Sequence, residues 1–310
     1  MNVKDGNNPV MKQLVILSGK GGTGKTCVTA AFAHLAVDHH NPIPVVLADA
    51  DVDAANLELL LKPTIIESED FWGGQVATIN TEICAGCGEC VTICRFDAIW
   101  ERNGLFEVDP IACDGCAACV YQCPVQAISM HEQVVGQWFF SGSQYGPLFH
   151  AALRPAQENS GKLVALVKQR ARLYAMEQGK EILLVDGPPG IGCPVISAAS
   201  GADLALIVAE PTITGVHDMR RVLQTTDHFG IKALVCINKA DIYHPGVTEI
   251  EVFCEEQGID LIGCIPFDTT MTEAMVQGEP ITAYNPESPA SLALHKIWER
   301  VLEELNSVSL

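Results

Sequence analysis

Long apolar runs are missing from this chain of 310 residues. None approaches the ~18 residues of a membrane span, which removes the spanning class. Positive charge is also scarce: 19 Lys and Arg stand against 38 Asp and Glu, a formal net charge of −19. Non-specific nucleic-acid binding needs cations that neutralise phosphates, so no nucleic-acid partner is expected. The same balance argues against a basic amphipathic anchor, so no stable membrane attachment is expected either. The start, Met1 to Pro9, is polar and lacks the apolar centre of a secretory leader, so a cytoplasmic location is expected. Cysteine, by contrast, is abundant: 13 residues, eight of them between Cys84 and Cys123. In a reducing compartment, clustered thiols bind metal more readily than they form disulfides.

The clearest motif is Ser18-Gly19-Lys20-Gly21-Gly22-Thr23-Gly24-Lys25-Thr26. It follows the apolar run Leu14-Val15-Ile16-Leu17 and opens a helical pattern that carries Val28, Ala31, Phe32 and Leu35. Gly19, Gly24, Lys25 and Thr26 fit G-x-x-x-x-G-K-[ST], a phosphate cradle of inward-turned backbone N–H groups at a helix N-terminus. The expected nucleotide ligands are Gly19, Lys20, Gly21, Gly22, Thr23, Gly24, Lys25, Thr26 and Cys27. Lys25 reaches the β- and γ-phosphates, and the Thr26 hydroxyl ligates Mg²⁺. Cys27 replaces a usual hydroxyl and weakens one α-phosphate contact, although its N–H remains.

Further polar groups lie at strand ends, where open α/β sheets bind ligands. Val45-Val46-Leu47-Ala48 runs into Asp49-Ala50-Asp51-Val52-Asp53, and Ile182-Leu183-Leu184-Val185 into Asp186-Gly187-Pro188-Pro189-Gly190. A carboxylate after an apolar strand is the Walker B arrangement, with Asp186 bonding Mg²⁺ through water. Gly190 is free to offer its N–H to a γ-phosphate. Cys193 follows, read first as a small buried thiol and alternatively as a metal ligand shared across a dimer. Cys236, Cys254 and Cys264 sit in apolar settings and read as core. Asn238-Lys239-Ala240-Asp241 is compatible with guanine recognition, which leaves ATP and GTP both open on the residues alone. Ser160 caps the helix that begins near Leu163, or serves a switch. The amphipathic stretch Leu292–Leu305 carries Glu299, Glu303 and Glu304 and is expected to pack on the sheet.

Between the acid clusters lies an internal repeat. C-x2-C-x2-C-x3-C occurs at Cys84-Cys87-Cys90-Cys94 and again 29 residues later at Cys113-Cys116-Cys119-Cys123. Three thiolates at that spacing hold three corners of a cubane, and the fourth ligand comes from the other copy. Cys84, Cys87, Cys90 and Cys123 are therefore expected to hold one [4Fe–4S] cluster, and Cys113, Cys116, Cys119 and Cys94 the other. Zinc is the alternative. Trp100–Pro110 reads as a hairpin between the halves, and Val134–Phe140 as a strand that follows the module.

The string KGGTGKT, with its second lysine Lys20, resembles the deviant Walker A loop of the MinD/ParA/nitrogenase-iron-protein ATPases. DADVDAANL resembles that family's switch I, the segment at Asp186 its switch II, and the cysteine module the bacterial two-cluster ferredoxins. The whole chain thus resembles a MinD/Mrp-type ATPase with an inserted ferredoxin. That resemblance implies an α/β fold, a doubly wound, mostly parallel P-loop sheet with a small α+β insert. The ATPase parts would be residues 1–80 and 133–310, and the insert 81–132. It implies ATP, with Asn238, Pro266 and Asp268 at the base, Asp51 orienting water, Asp49 supporting Mg²⁺, and Asn56 as a polar switch residue. It implies a homodimer with ATP at the interface, in which Lys20 crosses to the partner's nucleotide. The catalytic set is then Lys20, Lys25 and Asp51. A redox or Fe–S acceptor protein is the expected partner. Two other functions remain open: an Fe–S carrier of the Mrp type, and a positioning ATPase of the MinD/ParA kind.

Overall fold

A computed structural model describes residues 11–154 and 160–307. The polar start, residues 155–159 and the side chain of Ser160, with its proposed capping role, lie outside the described residues. In chain order the elements begin with β1 (Lys12–Ser18), α1 (Lys25–Asp38), β2 (Val45–Asp49), α2 (Leu57–Leu61) and β3 (Thr64–Ile79). Next come α3 (Glu89–Ile93), β4 (Ile99–Arg102), β5 (Leu105–Val108), α4 (Ala118–Gln122), β6 (Ile128–Ser143) and β7 (Gly146–Leu153). Then follow α5 (Ser160–Glu177), β8 (Ile182–Pro189), α6 (Cys193–Ala199), β9 (Leu204–Ala209), α7 (Ile213–His228) and β10 (Lys232–Asn238). The last are α8 (His244–Gln257), β11 (Asp260–Ile265), α9 (Thr270–Gln277), α10 (Ile281–Tyr284) and α11 (Pro289–Ser307).

Nine strands form one sheet in the order β11-β10-β9-β1-β8-β2-β7-β6-β3. The pairings among β11, β10, β9, β1, β8, β2 and β7 are parallel. Strands buried on both faces read as continuous apolar runs, as Leu14–Leu17 and Leu204–Ala209 do. One face, with Leu14, Ile16, Leu184 and Leu206, packs against α1 and α11 in a single apolar cluster. Phe32 of α1 and Trp298 of α11 lie with ring centroids 4.9 Å apart at its centre. The alternate residues Val15, Leu17, Val185 and Ile207 are equally buried, on the side covered by α5, α6 and α7. The C-terminal helix therefore packs on the sheet, as its apolar stripe requires. Among the described residues no helix is long and apolar enough to cross a membrane.

The chain divides into two compact units. The larger comprises Met1–Ser68, Trp138–Ala152 and Ser160–Leu310, and the smaller Glu69–Gln137 and Leu153–Asn159. The smaller contains the cysteine repeat, and the strands β3 and β6 run through the division. Its halves follow one backbone pattern at the repeat spacing. Gly86 and Gly115 have φ 66° and 73°, Gly88 and Ala117 have 77° and 59°, and Asp97 and Gln126 have 50° and 54°. β4 and β5 form the antiparallel hairpin between the halves, with Ile99 opposite Val108.

Candidate functional site

At the carboxyl end of β1 the chain turns through Gly22 and Gly24, at φ 77° and 96°, before α1 begins. A side chain at Gly24 would place its Cβ 2.3 Å from Asn238 Nδ2, so both conformation and space demand glycine there. The turn aims Lys25 into the protein. Its Nζ donates to Ser18 Oγ at 2.8 Å, and that hydroxyl donates to the Lys20 carbonyl at 2.7 Å. Burial lowers the Lys25 pKa, while Asp186, Asp51 and Asp49 act in the opposite sense.

Asp49 and Asp186 stand side by side on β2 and β8 in register. Asp49 is fully buried and accepts N–H bonds from Asp51 at 3.1 Å and Leu57 at 3.0 Å. Burial, reinforced by Asp186, pushes its carboxyl well above the usual range. Burial also pushes Asp186 up to about 6, against the pull of Thr26, Lys25 and Thr29. The Thr29 hydroxyl lies 3.1 Å from Asp186 Oδ1, whereas Asp186 Oδ2 and Thr23 Oγ1 are buried without a partner. Buried polar atoms left unpaired are costly. A carboxylate oxygen of this kind beside a P-loop threonine fits a hydrated cation, and the loop fits the phosphates that accompany it.

A cavity of about 440 Å³ opens over this group. Its lining includes Gly21, Gly22, Gly24, Lys25, Thr26 and Cys27 of the loop, Asp51 and Asn56 after β2, and Asn238, Pro266 and Asp268 after β10 and β11. Asp49 and Asp186 sit behind Lys25, and Gly19, Lys20 and Thr23 lie outside the lining. Sequence reasoning missed most of the apolar end of the cavity: Leu59 and Leu60 of α2, and Met271 and Met275 of α9, which line it together with Phe267 of the loop after β11. It also missed Ser18 and Thr29, whose hydroxyls orient Lys25 and Asp186. Their signal was a hydroxyl at the end of a strand and one turn into a helix.

Three expectations need correction. Asp241 is committed to the loop, since its Oδ1 accepts the Phe267 N–H at 2.7 Å, and it does not line the cavity. Gly190 donates its N–H to the Ser18 carbonyl at 3.0 Å and so does not offer it to a phosphate in this conformation. Cys193 and Cys264 are exposed, not buried; Cys236 and Cys254 are buried as expected. Cys193 opens α6 just after a glycine turn, and Cys264 lies on β11, the end strand of the sheet.

Lys20 lies across from Glu210, at the end of β9. Its Nζ is 2.5 Å from Glu210 Oε2 and 3.2 Å from Thr212 Oγ1. Glu210 Oε1 takes Lys239 Nζ at 2.6 Å, and Lys239 also reaches the Gly22 carbonyl at 3.3 Å. Burial opposes the charge on Glu210, but the two lysines outweigh it and hold the pKa below the usual range. Nothing in the local sequence of Glu210 announced this role. A second polar chain joins Ser141 Oγ to His150 Nε2 at 3.0 Å and His150 Nδ1 to Glu58 Oε2 at 3.2 Å. It has the order of a hydrolytic triad, but Ser141 is fully buried and no substrate reaches it.

In the smaller unit the cysteines sort into two quartets. Cys84, Cys87, Cys90 and Cys123 line one small void with Ile79 and Phe106. Cys94, Cys113, Cys116 and Cys119 line another with Ala77 and Ile99. The Ala127 N–H points at Cys123 Sγ, 3.2 Å away. Among the described residues no three His, Cys, Asp or Glu side chains converge as a single ion would require.

Residues 14–281 match the model of the CobQ/CobB/MinD/ParA nucleotide binding domain. An uncharacterised protein of Methanocaldococcus jannaschii is 31% identical over 294 residues, covering 95% of this chain and 98% of that protein. The cytosolic Fe–S cluster assembly factor NBP35 of Eremothecium gossypii is 29% identical over 145 residues, 41% of this chain and 44% of its own. Among solved structures, the septum site-determining protein MinD of Pyrococcus horikoshii, complexed with Mg-ADP, superposes with a TM-score of 0.57. It is 20% identical, and the match covers 94% of this chain and 96% of that one.

Proposed function

Because the chain belongs to the CobQ/CobB/MinD/ParA nucleotide-binding family, we propose that it is an ATPase whose hydrolysis drives electron transfer through two [4Fe–4S] clusters. The observation that carries this reading is the sorting of eight cysteines into two quartets, each around its own void. A cubane separates its four thiolates, whereas zinc draws them to one point at about 2.3 Å. The quartets are Cys84, Cys87, Cys90 and Cys123, and Cys113, Cys116, Cys119 and Cys94, in a ferredoxin-like insert placed at 81–132. When bound, each cluster carries one electron.

In the larger unit, Lys25 offsets phosphate charge from below, and Thr26 and Asp186 hold Mg²⁺ with Asp49 behind them. Asp51, at the cavity wall, orients water. Asn238, Pro266 and Asp268 sit at the base. Asp241 does not line the cavity that holds Asn238, Pro266 and Asp268, which supports ATP. Two subunits close over the nucleotides, each giving Lys20 to the other's phosphates, as in the family that the loop resembles. Lys20→Ala is expected to abolish hydrolysis while leaving the visible absorbance of anaerobically purified protein unchanged. Turnover at the wild-type rate contradicts the dimer mechanism.

A second reading, an Fe–S carrier, draws on the exposed Cys193 and on the name of the NBP35 relative. Loss of iron and sulfide to an apo-acceptor on ATP addition, abolished by Cys193→Ser, is the result that favours it.

A further inference from the structure

We propose that Cys27, Met271 and Met275 form a site for a soft monovalent cation of the Cu(I) class at one wall of the nucleotide cavity, and that ion and nucleotide exclude one another there. The site rests on its sulfurs alone; the exclusion rests on the nucleotide reading above. The three side chains come from two helices. Cys27 is the third residue of α1, and Met271 and Met275 stand four apart on α9, hence on one face of it. All three line the same cavity. The Cys27 thiol donates to Met275 Sδ at 3.6 Å. Two sulfurs bonded to one ion at about 2.3 Å and a tetrahedral angle stand about 3.8 Å apart, so this pair is close to the spacing of two ligands.

The helices hold the sulfurs in place. Cys27 and Met271 both pack against the main apolar cluster. Ala274, buried in that cluster, sets the rotation of α9. Gly278, at φ 65°, ends the helix where a Cβ would lie 2.8 Å from the Leu59 carbonyl, so α9 has no room to slide towards α2. The unbranched methionine side chains keep the freedom to close on an ion. Met275 is 50% exposed, which leaves the site open to solvent.

The donors decide the ion. Thioethers are soft and neutral ligands. Among the described residues no histidine lines the cavity, and its carboxylates, Asp51 and Asp268, are hard donors. One thiolate and two thioethers balance a single positive charge. That suits Cu(I), whereas a divalent ion keeps charge to spare at a wall it shares with Leu59 and Leu60. On binding, the S–H bond of Cys27 gives way to a sulfur–copper bond and the proton leaves to solvent. The ion then occupies space that the nucleotide needs, because Cys27 and Met275 face the same cavity as Lys25, Thr26 and Asn238.

The test is an anaerobic titration of the iron-loaded full chain with Cu(I) held in a bicinchoninate buffer, for wild type, Cys27→Ser, Met271→Leu and Met275→Leu. Copper and iron are counted per chain after desalting. Wild type is expected to hold one copper without loss of iron, and to release it to Mg²⁺ with a non-hydrolysable ATP analogue. Each variant is expected to bind that copper at least about tenfold more weakly, since loss of even an outer partner costs a metal site roughly 10–100-fold. Leucine keeps the volume of methionine, so the two methionine variants serve if Cys27→Ser does not fold. Copper of equal affinity in wild type and the folded variants, or copper taken up only as iron leaves, overturns the site. Copper that follows the variants but stays when the analogue binds overturns the exclusion. Copper that follows the variants in a chain that binds no analogue overturns the nucleotide reading and leaves the site standing.

Discussion

The two units of this molecule are built on different terms. The larger carries a sheet whose central strands are buried on both faces, and its polar site is braced by hydrogen bonds within the chain. Ser18 holds Lys25, Asp49 holds the N-terminus of α2, and Asn238 Nδ2 donates to the Thr23 carbonyl at 2.7 Å. The smaller has a core of Ala77, Cys90, Ile99, Phe106, Cys119 and Ile128, and two of those six residues are thiols. Around that core Ile83, Trp100, Ile111 and Tyr121 are exposed. The core of the first unit is apolar. In the second, two of the eight proposed ligands, Cys90 and Cys119, are themselves core, which would tie its folding to what they bind.

The largest expected effect follows from that contrast. Removal of the iron proposed for the smaller unit, with a chelator under reducing conditions, is expected to raise amide exchange across residues 84–128 to near the unfolded rate, with β1, β8 and β9 still protected. Equal protection of both regions breaks the comparison. The converse is Trp298→Ala, which empties the centre of the larger core and is expected to cost about 3–5 kcal/mol of that unit's stability in a denaturant melt. The visible absorbance that the proposed clusters would give is expected to remain. Lys25→Ala is expected to lower turnover by roughly 10²–10³ with the fold and iron content unchanged, since it removes one preorganised charge.

The smallest effect sharpens the picture within the larger unit. Burial holds His150 down at about 4, below its ordinary 6.5. The unfolded chain takes up that proton below 6.5 and the folded chain only below about 4. The stability is therefore complete above pH 6.5 and lost as pH falls towards 4. The carboxylate of Glu58 at 3.2 Å works against this, so the loss is on the order of 1–3 kcal/mol. His150→Gln is expected to flatten that stretch of the stability–pH curve. A slope identical to wild type assigns the dependence elsewhere.

Much of the larger unit was legible because parallel strands announce themselves as apolar runs and their carboxyl ends carry the acids. The phosphate loop, Asp49, Asp51 and Asp186 were found on that logic. β3 and β6 were not delimited, because sixteen-residue strands with mixed, largely exposed residues give no such signal. Glu210 and Lys239 escaped notice because their role is a meeting in space between residues far apart in the chain. The exposure of Cys264 turned on a fact no local window holds, namely that β11 ends the sheet. The cysteine quartets were legible as spacing, since ligand geometry is itself a sequence constraint.

The most direct test of ATP-driven redox chemistry is a potentiometric titration of the anaerobically purified protein with and without Mg-ATP. The expected result is two [4Fe–4S] centres per chain, at least one of which changes its midpoint potential when nucleotide binds. Centres with the same potentials in both titrations contradict the coupling.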